Sequence, residues 1–406
     1  MTHNFKGFID TTFRDGQASP LLFDTNKYAF TLKEKIQLID TMLELGVRHF
    51  EFFSPIVSNL EKNHFLAIRK HVKAKNIPGV FLLAHCRCHP DDITQALEAG
   101  FDGLNLYMGL SEHAQQTYNK SFDQLMAIVK TTIIDIRREH PKLWLRFSGE
   151  DAFRTEISSL FNVYDQIADL VDTIGTPDTT GTATPKTVAQ RVRDLKTRYP
   201  KVNLECHFHN DLGLATANTL AAVENGAEFV DSTVWGLAER SGITSVTAAL
   251  INFSYLDPKI LDNYKTELCY PLNVLMASIL KIQVPWYEPV SLTNRTHIAG
   301  VHQKAVLAKQ GYEAHHLDKF GVITDQLLLG PLSGWNFIHY YLKEILNYIV
   351  TEEQTKEIAV EFKNRQSKTK KSIEPEKLLN QIAIEYNLVK ISIPEKFAKT
   401  RIEKLD

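Results

Sequence analysis

The stretch "ECHFHND", residues 205–211, sets two imidazoles one residue apart inside an otherwise apolar run. Side chains alternate between the faces of a β-strand, so Glu205, His207, His209 and Asp211 share one face and Leu204, Cys206 and Phe208 the other. At a rise of ~3.3 Å per residue, positions i and i+2 lie about 6.6 Å apart, which lets both rings converge on one ion. The same spacing also fits two core histidines bonded to carbonyls or carboxylates, and the pair alone does not separate the two readings. A third ligand would: two imidazoles and one carboxylate make an open metal site that keeps positions free for substrate. Asp15, in "DTTFRDGQ", is the candidate. Gly16 permits a sharp exit from a strand, and Arg14 puts a permanent cation beside the carboxylate.

Such residues need elements to position them. Over the first 250 residues, short β-branched or aromatic runs alternate with longer segments of helical period, the pattern of repeated βα units and a parallel sheet. Eight runs qualify as strands: "GFIDTTFRD" from Gly7, "VRHFEFFSP" from Val47, "VFLLAHCR" from Val80, "GLNLYMG" from Gly103, "LWLRFSGED" from Leu143, "VDTIGTPDT" from Val171, "VNLECHFHND" from Val202 and "FVDSTVWGL" from Phe229. Helical segments follow them, among them "TLKEKIQLIDTMLELG", with Thr31 as N-cap and Gly46 as stop, and "SFDQLMAIVKTTIIDIRREH", capped by Ser121. The expected fold is α/β, a (β/α)8 TIM barrel whose strand C-termini gather at one mouth, where such barrels keep their active sites. Those ends are polar: Arg14 and Asp15, Ser54, His85 and Arg87, Glu150 and Asp151, Asp178 to Thr180, then His207, His209 and Asn210.

From about residue 255 the text turns irregular, and beyond Leu327 it is helical again, broken by the lysine-rich "FKNRQSKTKKSIEPEK", which reads as a solvated linker. The division expected is a catalytic barrel over 1–255, a linker and lid subdomain over 256–345 and a helical segment over 346–406. A balance of 46 basic against 48 acidic residues supplies no bulk field toward nucleic acid or an anionic membrane. Four cysteines, at 86, 88, 206 and 269, are too few and too scattered for a disulfide framework. No run approaches the ~20 apolar residues of a membrane span, and the first residues lack the apolar core of a signal peptide. A cytoplasmic protein is expected, with neither nucleic acid nor membrane as partner.

The segments "FIDTTFRDGQ", "RFSGEDAFR", "DTTGTATP", "ECHFHNDLGLATANTLAAVENGAEFVDSTVWGLAERSGITSV" and "HIAGVHQKAVL" resemble, in this order, the motifs of the DRE-TIM metallolyases. The closest likeness is to the branch holding homocitrate synthase and 2-isopropylmalate synthase, over residues 7 to about 340. The resemblance implies a barrel with a mainly helical C-terminal lid region, a homodimer that exchanges its lid, and condensation of acetyl-CoA with a 2-oxo acid on a divalent metal (Zn, Mg or Mn) in amino-acid biosynthesis. Carried over by motif, Asp15, His207 and His209 would hold the metal and Arg14 would stand over the developing oxyanion. Thr184 would bind the acceptor's carboxylate, with Glu150 and Glu205 as polar members of the same mouth. His302 would be the base or its relay, beside Tyr312, and Glu239 and Arg240 would lie near CoA. The chemistry is coherent, because a divalent ion makes the keto carbon electrophilic and histidine suits removal of a proton from the acetyl methyl.

One departure bears on the acceptor. Relatives acting on 2-oxoglutarate carry an arginine on the loop after the fourth strand, whereas "GLSEHAQQTYNKS" has Ala114 there, with His113 as a substitute and Lys27 of the inserted "ASPLLFDTNKYAF" as another cation. A buried carboxylate without a partner is costly. The sequence therefore favours a neutral acceptor such as 2-oxoisovalerate, as in leucine biosynthesis, with 2-oxoglutarate or a citramalate- or citrate-type reaction as alternatives. Trp235 stands where 2-isopropylmalate synthases carry an asparagine. A carbon–carbon lyase lacks its cysteine after "GVH", a biotin-dependent carboxyltransferase lacks its sixth-strand lysine, and a two-histidine iron oxygenase would sit on a different fold. A non-catalytic barrel is opposed by the joint presence of Arg14, Asp15, His207, His209 and His302.

Overall fold

Capped helices and buried strands alternate through the first part of the chain as the patterning dictates. Thr31 Oγ1 accepts from the Glu34 N–H at 3.3 Å while Glu34 accepts from the Thr31 N–H at 2.8 Å, closing the expected capping box. Gly46 ends that helix at φ 125°, and a Cβ there would meet the Asn263 carbonyl oxygen at 2.3 Å. Ser121 and Gln124 form the same reciprocal cap. The computed structural model describes residues 4–109, 111–309, 311–312, 316–368 and 373–391, and the side chains of 112, 113 and 368 fall outside that description.

All eight expected strands form: β1 (Gly7–Asp10), β2 (His49–Phe53), β3 (Phe81–Arg87), β4 (Gly103–Gly109), β5 (Trp144–Glu150), β6 (Thr173–Asp178), β7 (Asn203–Phe208) and β8 (Phe229–Ser232). They pair in sequence order into a closed parallel barrel, with Gly7 to Asp10 of β1 against Phe229 to Ser232 of β8 at the seam. The floor is apolar: Ile9, Leu83 and Phe229 are buried together with Phe81 and Trp144 against them. His49 lies flat on Phe81, ring centroids 5.2 Å apart, and edge-on to Phe229. Burying aliphatic and aromatic side chains of this size stabilises by roughly 1.5–3 kcal/mol each.

The chain divides into two compact units, 1–290 and 291–406. The change of character at residue 255 is therefore not where the first unit ends. Phe8 stacks on Phe253 and meets Tyr264 edge-on, and the buried Glu288 accepts from Ser245 Oγ and Thr247 Oγ1, both at 2.8 Å. These contacts fasten the irregular segment to the barrel. The second unit has its own apolar cluster, in which Ile338 and Leu342 pack with Phe362, Leu379 and Ile382. That cluster spans the boundary expected at 345. Residues 369–372 of the lysine-rich stretch lie outside the described residues. Among those described, no helix is long and apolar enough to cross a membrane.

Candidate metal centre at the barrel mouth

β7 obeys its alternation. Leu204, Cys206 and Phe208 are fully buried, while Glu205, His207 and, one residue past the strand, His209 face a cavity of ≈ 490 Å³ at the C-terminal ends of the strands. Asp15 arrives from the turn Asp15–Ala18 after β1. One donor atom each from Asp15, His207 and His209 lies within 4.8 Å of the others. Three ligands about 2.0–2.2 Å from one ion stand roughly 3–3.8 Å from each other, so small side-chain adjustments of about an ångström would bring the set onto a cation.

The surrounding bonds prepare these donors. His207 Nδ1 pairs with Asp231 Oδ2 at 3.0 Å, which turns Nε2 toward Asp15 Oδ2, 3.5 Å away. A carboxylate behind a ligating imidazole fixes its tautomer and raises its basicity. Burial, then the charge of His207, pushes His209 down to about 4, so its ring is neutral near pH 7. Asp15 Oδ2 and His209 Nδ1 are both buried without a hydrogen-bond partner among the described residues. Buried polar atoms are rarely left so, and the donor set fits a divalent cation with open positions.

Beneath the three lies a layer of buried charge. Arg146, 3% exposed on β5, reaches Asp231 at 3.1 Å, Glu205 at 3.2 Å and Glu51 at 3.1 Å. Arg14 pairs with Glu51 at 2.6 Å and stands 3.4 Å from Asp15. Burial alone would raise Glu51, but Arg14, His85 and Arg146 outweigh it and hold the carboxyl well below its usual range. Burial also opposes ionisation of Asp231, which Arg146 and the bond to His207 nonetheless bring below its ordinary value. Glu205 has less compensation: burial pushes it well above the carboxylate range in spite of Arg146. A concavity of similar size at the opposite end of the barrel, around Asp169, Asp172 and Tyr199, lies far from these groups in the fold.

The expected site residues divide. Arg14, Glu150, Glu205, Glu239, His207 and His209 all line the cavity. Thr184 does not: its Oγ1 caps the helix Pro185–Arg198 by accepting from the Thr187 N–H at 3.4 Å. Thr179, at the exit of β6, takes the place facing the cavity, with its Oγ1 accepting from the Asp151 N–H at 3.0 Å. Arg240 is a clamp: it holds Asp211 through bonds of 2.8 and 2.9 Å and donates to the Thr179 carbonyl at 2.8 Å. Lys27 pairs with Glu34. His302 and Tyr312 stack with ring centroids 4.2 Å apart inside the second unit. The side chain of His113 lies outside the described residues. Trp235 is buried at φ 60°. Sequence reasoning overlooked Glu51, Tyr107, Arg146, Ser148 and Asp231. The signal was there: a polar residue within an apolar strand, as in "HFEFF" and "LWLRFSGE", is as informative as the paired histidines.

A family model described as HMGL-like matches residues 6–268, and one described as homocitrate synthase post-HMGL domain-like matches residues 290–370. The chain belongs to the HMGL-like family, in the branch of homocitrate synthases and 2-isopropylmalate synthases. The mitochondrial homocitrate synthase of Saccharomyces cerevisiae is 34% identical over 369 residues, 89% of this chain and 80% of that protein. A 2-isopropylmalate synthase of Ruminiclostridium cellulolyticum is 29% identical over 381 residues, 89% of this chain and 71% of that protein. Among solved structures, the HMG-CoA lyase of Bacillus subtilis superposes with a TM-score of 0.57 at 21% identity, over 70% of this chain and 97% of that one, a likeness of fold.

Proposed function

We propose that this chain condenses acetyl-CoA with 2-oxoglutarate and water to give homocitrate and free CoA. The observation that carries the choice of acceptor is Arg146, a permanent cation facing the cavity from β5. The neutral acceptor favoured by the loop after β4 is given up, because the cation missing from that loop is supplied by a strand. The homocitrate synthases among the relatives support the same choice.

A divalent ion held by Asp15, His207 and His209 supplies, when bound, Lewis-acid polarisation of the acceptor's carbonyl. The chain's own groups do the rest. Arg14, fixed on Glu51, stands beside the place where negative charge develops on the carbonyl oxygen. Thr179 accepts from the Asp151 N–H, which leaves its hydroxyl proton free to donate to an acceptor carboxylate. Arg146 pairs with the acceptor's other carboxylate. His302, its ring fixed by stacking on Tyr312, takes the proton from the acetyl methyl, and Glu239 faces the CoA side. A homodimer in which the lid is exchanged belongs to the same reading, as does a cytoplasmic setting, supported by four free, buried cysteines.

Purified protein with Mg²⁺, Mn²⁺ or Zn²⁺ is expected to release CoA thiol from acetyl-CoA when 2-oxoglutarate is present, and more slowly with 2-oxoisovalerate, pyruvate or oxaloacetate. Release with 2-oxoisovalerate alone would overturn the choice of acceptor, and no release with any would overturn the condensation. His207→Ala should lower the rate about a thousandfold or more, with stoichiometric metal lost and the far-ultraviolet circular dichroism unchanged.

A further inference from the structure

We infer that Tyr107 selects the far end of the acceptor, donating its phenol hydroxyl to the distal carboxylate while its ring walls the cavity. The inference rests on the condensation proposed above. In the register of β4 with β5, Tyr107 lies opposite Ser148, two residues further toward the mouth than the opposed pair Asn105 and Arg146. Arg146, Ser148 and Glu150 alternate along one face of β5, and all three line the cavity with Tyr107. The wall therefore rises from a buried guanidinium through two hydroxyls to the rim.

Tyr107 is held in place and left unengaged. Its ring stacks on His85, centroids 4.4 Å apart and planes 16° from parallel, and His85 Nδ1 is 3.3 Å from Glu51 Oε1. No group among the described residues bonds its hydroxyl, and burial pushes the phenol up to about 12, so it is a donor at any physiological pH. Most other polar groups of the cavity already have partners: Arg14 and Arg146 are pinned on carboxylates, and Thr179 is tied to Asp151. Ser148 Oγ beside it is buried and, like His209 Nδ1, has no hydrogen-bond partner among the described residues.

Direction follows from topology. The metal-binding candidates come from the exits of β1 and β7, and in a closed barrel of eight strands in sequence order β3 to β5 lie across from them. An acceptor anchored by its 2-oxo acid end at those residues extends its arm toward β4 and β5. There its terminal carboxylate meets Arg146 from below and the Tyr107 hydroxyl from the side.

Tyr107→Phe keeps the ring and its stack on His85 and removes only the donor. Steady-state kinetics should show the KM for 2-oxoglutarate rising about tenfold, the magnitude of one hydrogen bond to a charged group. The ratio of kcat/KM for 2-oxoglutarate to that for 2-oxobutyrate should fall by the same factor, and the KM for acetyl-CoA should stay. Calorimetric titration of 2-oxoglutarate into the Mg²⁺-loaded protein without acetyl-CoA should show the same loss of affinity. An unchanged ratio, or an equal loss for both acceptors, would overturn the inference while leaving the condensation intact. A wild-type protein that neither binds nor uses 2-oxoglutarate would overturn the acceptor and this inference together. Equal unfolding midpoints for variant and wild type would exclude a folding defect as the cause.

Discussion

His49 and Glu51 stand two residues apart on one face of β2, about 6.6 Å along the strand, and the barrel treats them oppositely. His49 lies among Phe81, Trp144 and Phe229, its Nδ1 has no hydrogen-bond partner among the described residues, and burial pushes it down to about 4. Glu51 lies among Arg14, His85, Arg146 and Asn105 and stays ionised in spite of its burial. Burial opposes the charged form of both, and only Glu51, the deeper of the two, has opposite charges around it to offset that cost. A buried group keeps its charge only where opposite charges converge, and this interior passes from apolar floor to charged layer in a single step of the pleat.

Removing the charge that organises the upper layer is the strongest way to break this contrast. Arg146→Met leaves Glu51, Glu205 and Asp231 without the cation they share, and urea unfolding should show a loss of about 3–5 kcal/mol. A loss below about 1 kcal/mol would mean the layer is held by packing alone. At the floor the expected effect is a dependence on pH. The folded state keeps His49 neutral down to about 4, whereas the unfolded chain protonates it near 6.5, so the unfolded state binds more protons between those values. This contribution, at most about 3 kcal/mol, is fully present above 6.5 and is lost as the pH falls toward 4. His49→Phe should flatten the stability profile in that window, and an unaltered slope between about pH 7 and about pH 4.5 would place the titration elsewhere. Asp231→Asn is the mildest probe. It keeps the shape but weakens the partner of His207 Nδ1, and metal titration should show affinity lower by about 10–100-fold, with no such change in His49→Phe.

Much of this was legible in the sequence, for identifiable reasons. The eight strands and their caps rest on local chemistry, alternation and side-chain-to-backbone bonds, which Thr31 with Glu34 and Ser121 with Gln124 carry within four residues. His207 and His209 were legible because one strand holds both. Arg146 and Asp231 were not, since each takes its meaning from residues on other strands, and a lone arginine or aspartate within an apolar run says little until the barrel closes. Thr184 misled for a related reason. A threonine directly before a proline is a good helix cap, and that local use claimed its hydroxyl, while Thr179 five residues earlier faces the cavity. The cation sought on the loop after β4 has, in the function proposed above, a counterpart in Arg146, one strand further along.

Arg146 serves three carboxyls before any substrate arrives, so in the function proposed above one side chain is bound up with both the integrity of the charged layer and the grip on the acceptor. That coupling shapes how such a barrel can diverge. A lineage that altered Arg146 to admit a new acid would first have to survive the unravelling of the charges beneath it. Tyr107 and Ser148 hold no such structural office, and changes at these two positions offer the shorter evolutionary path from one acceptor to the next.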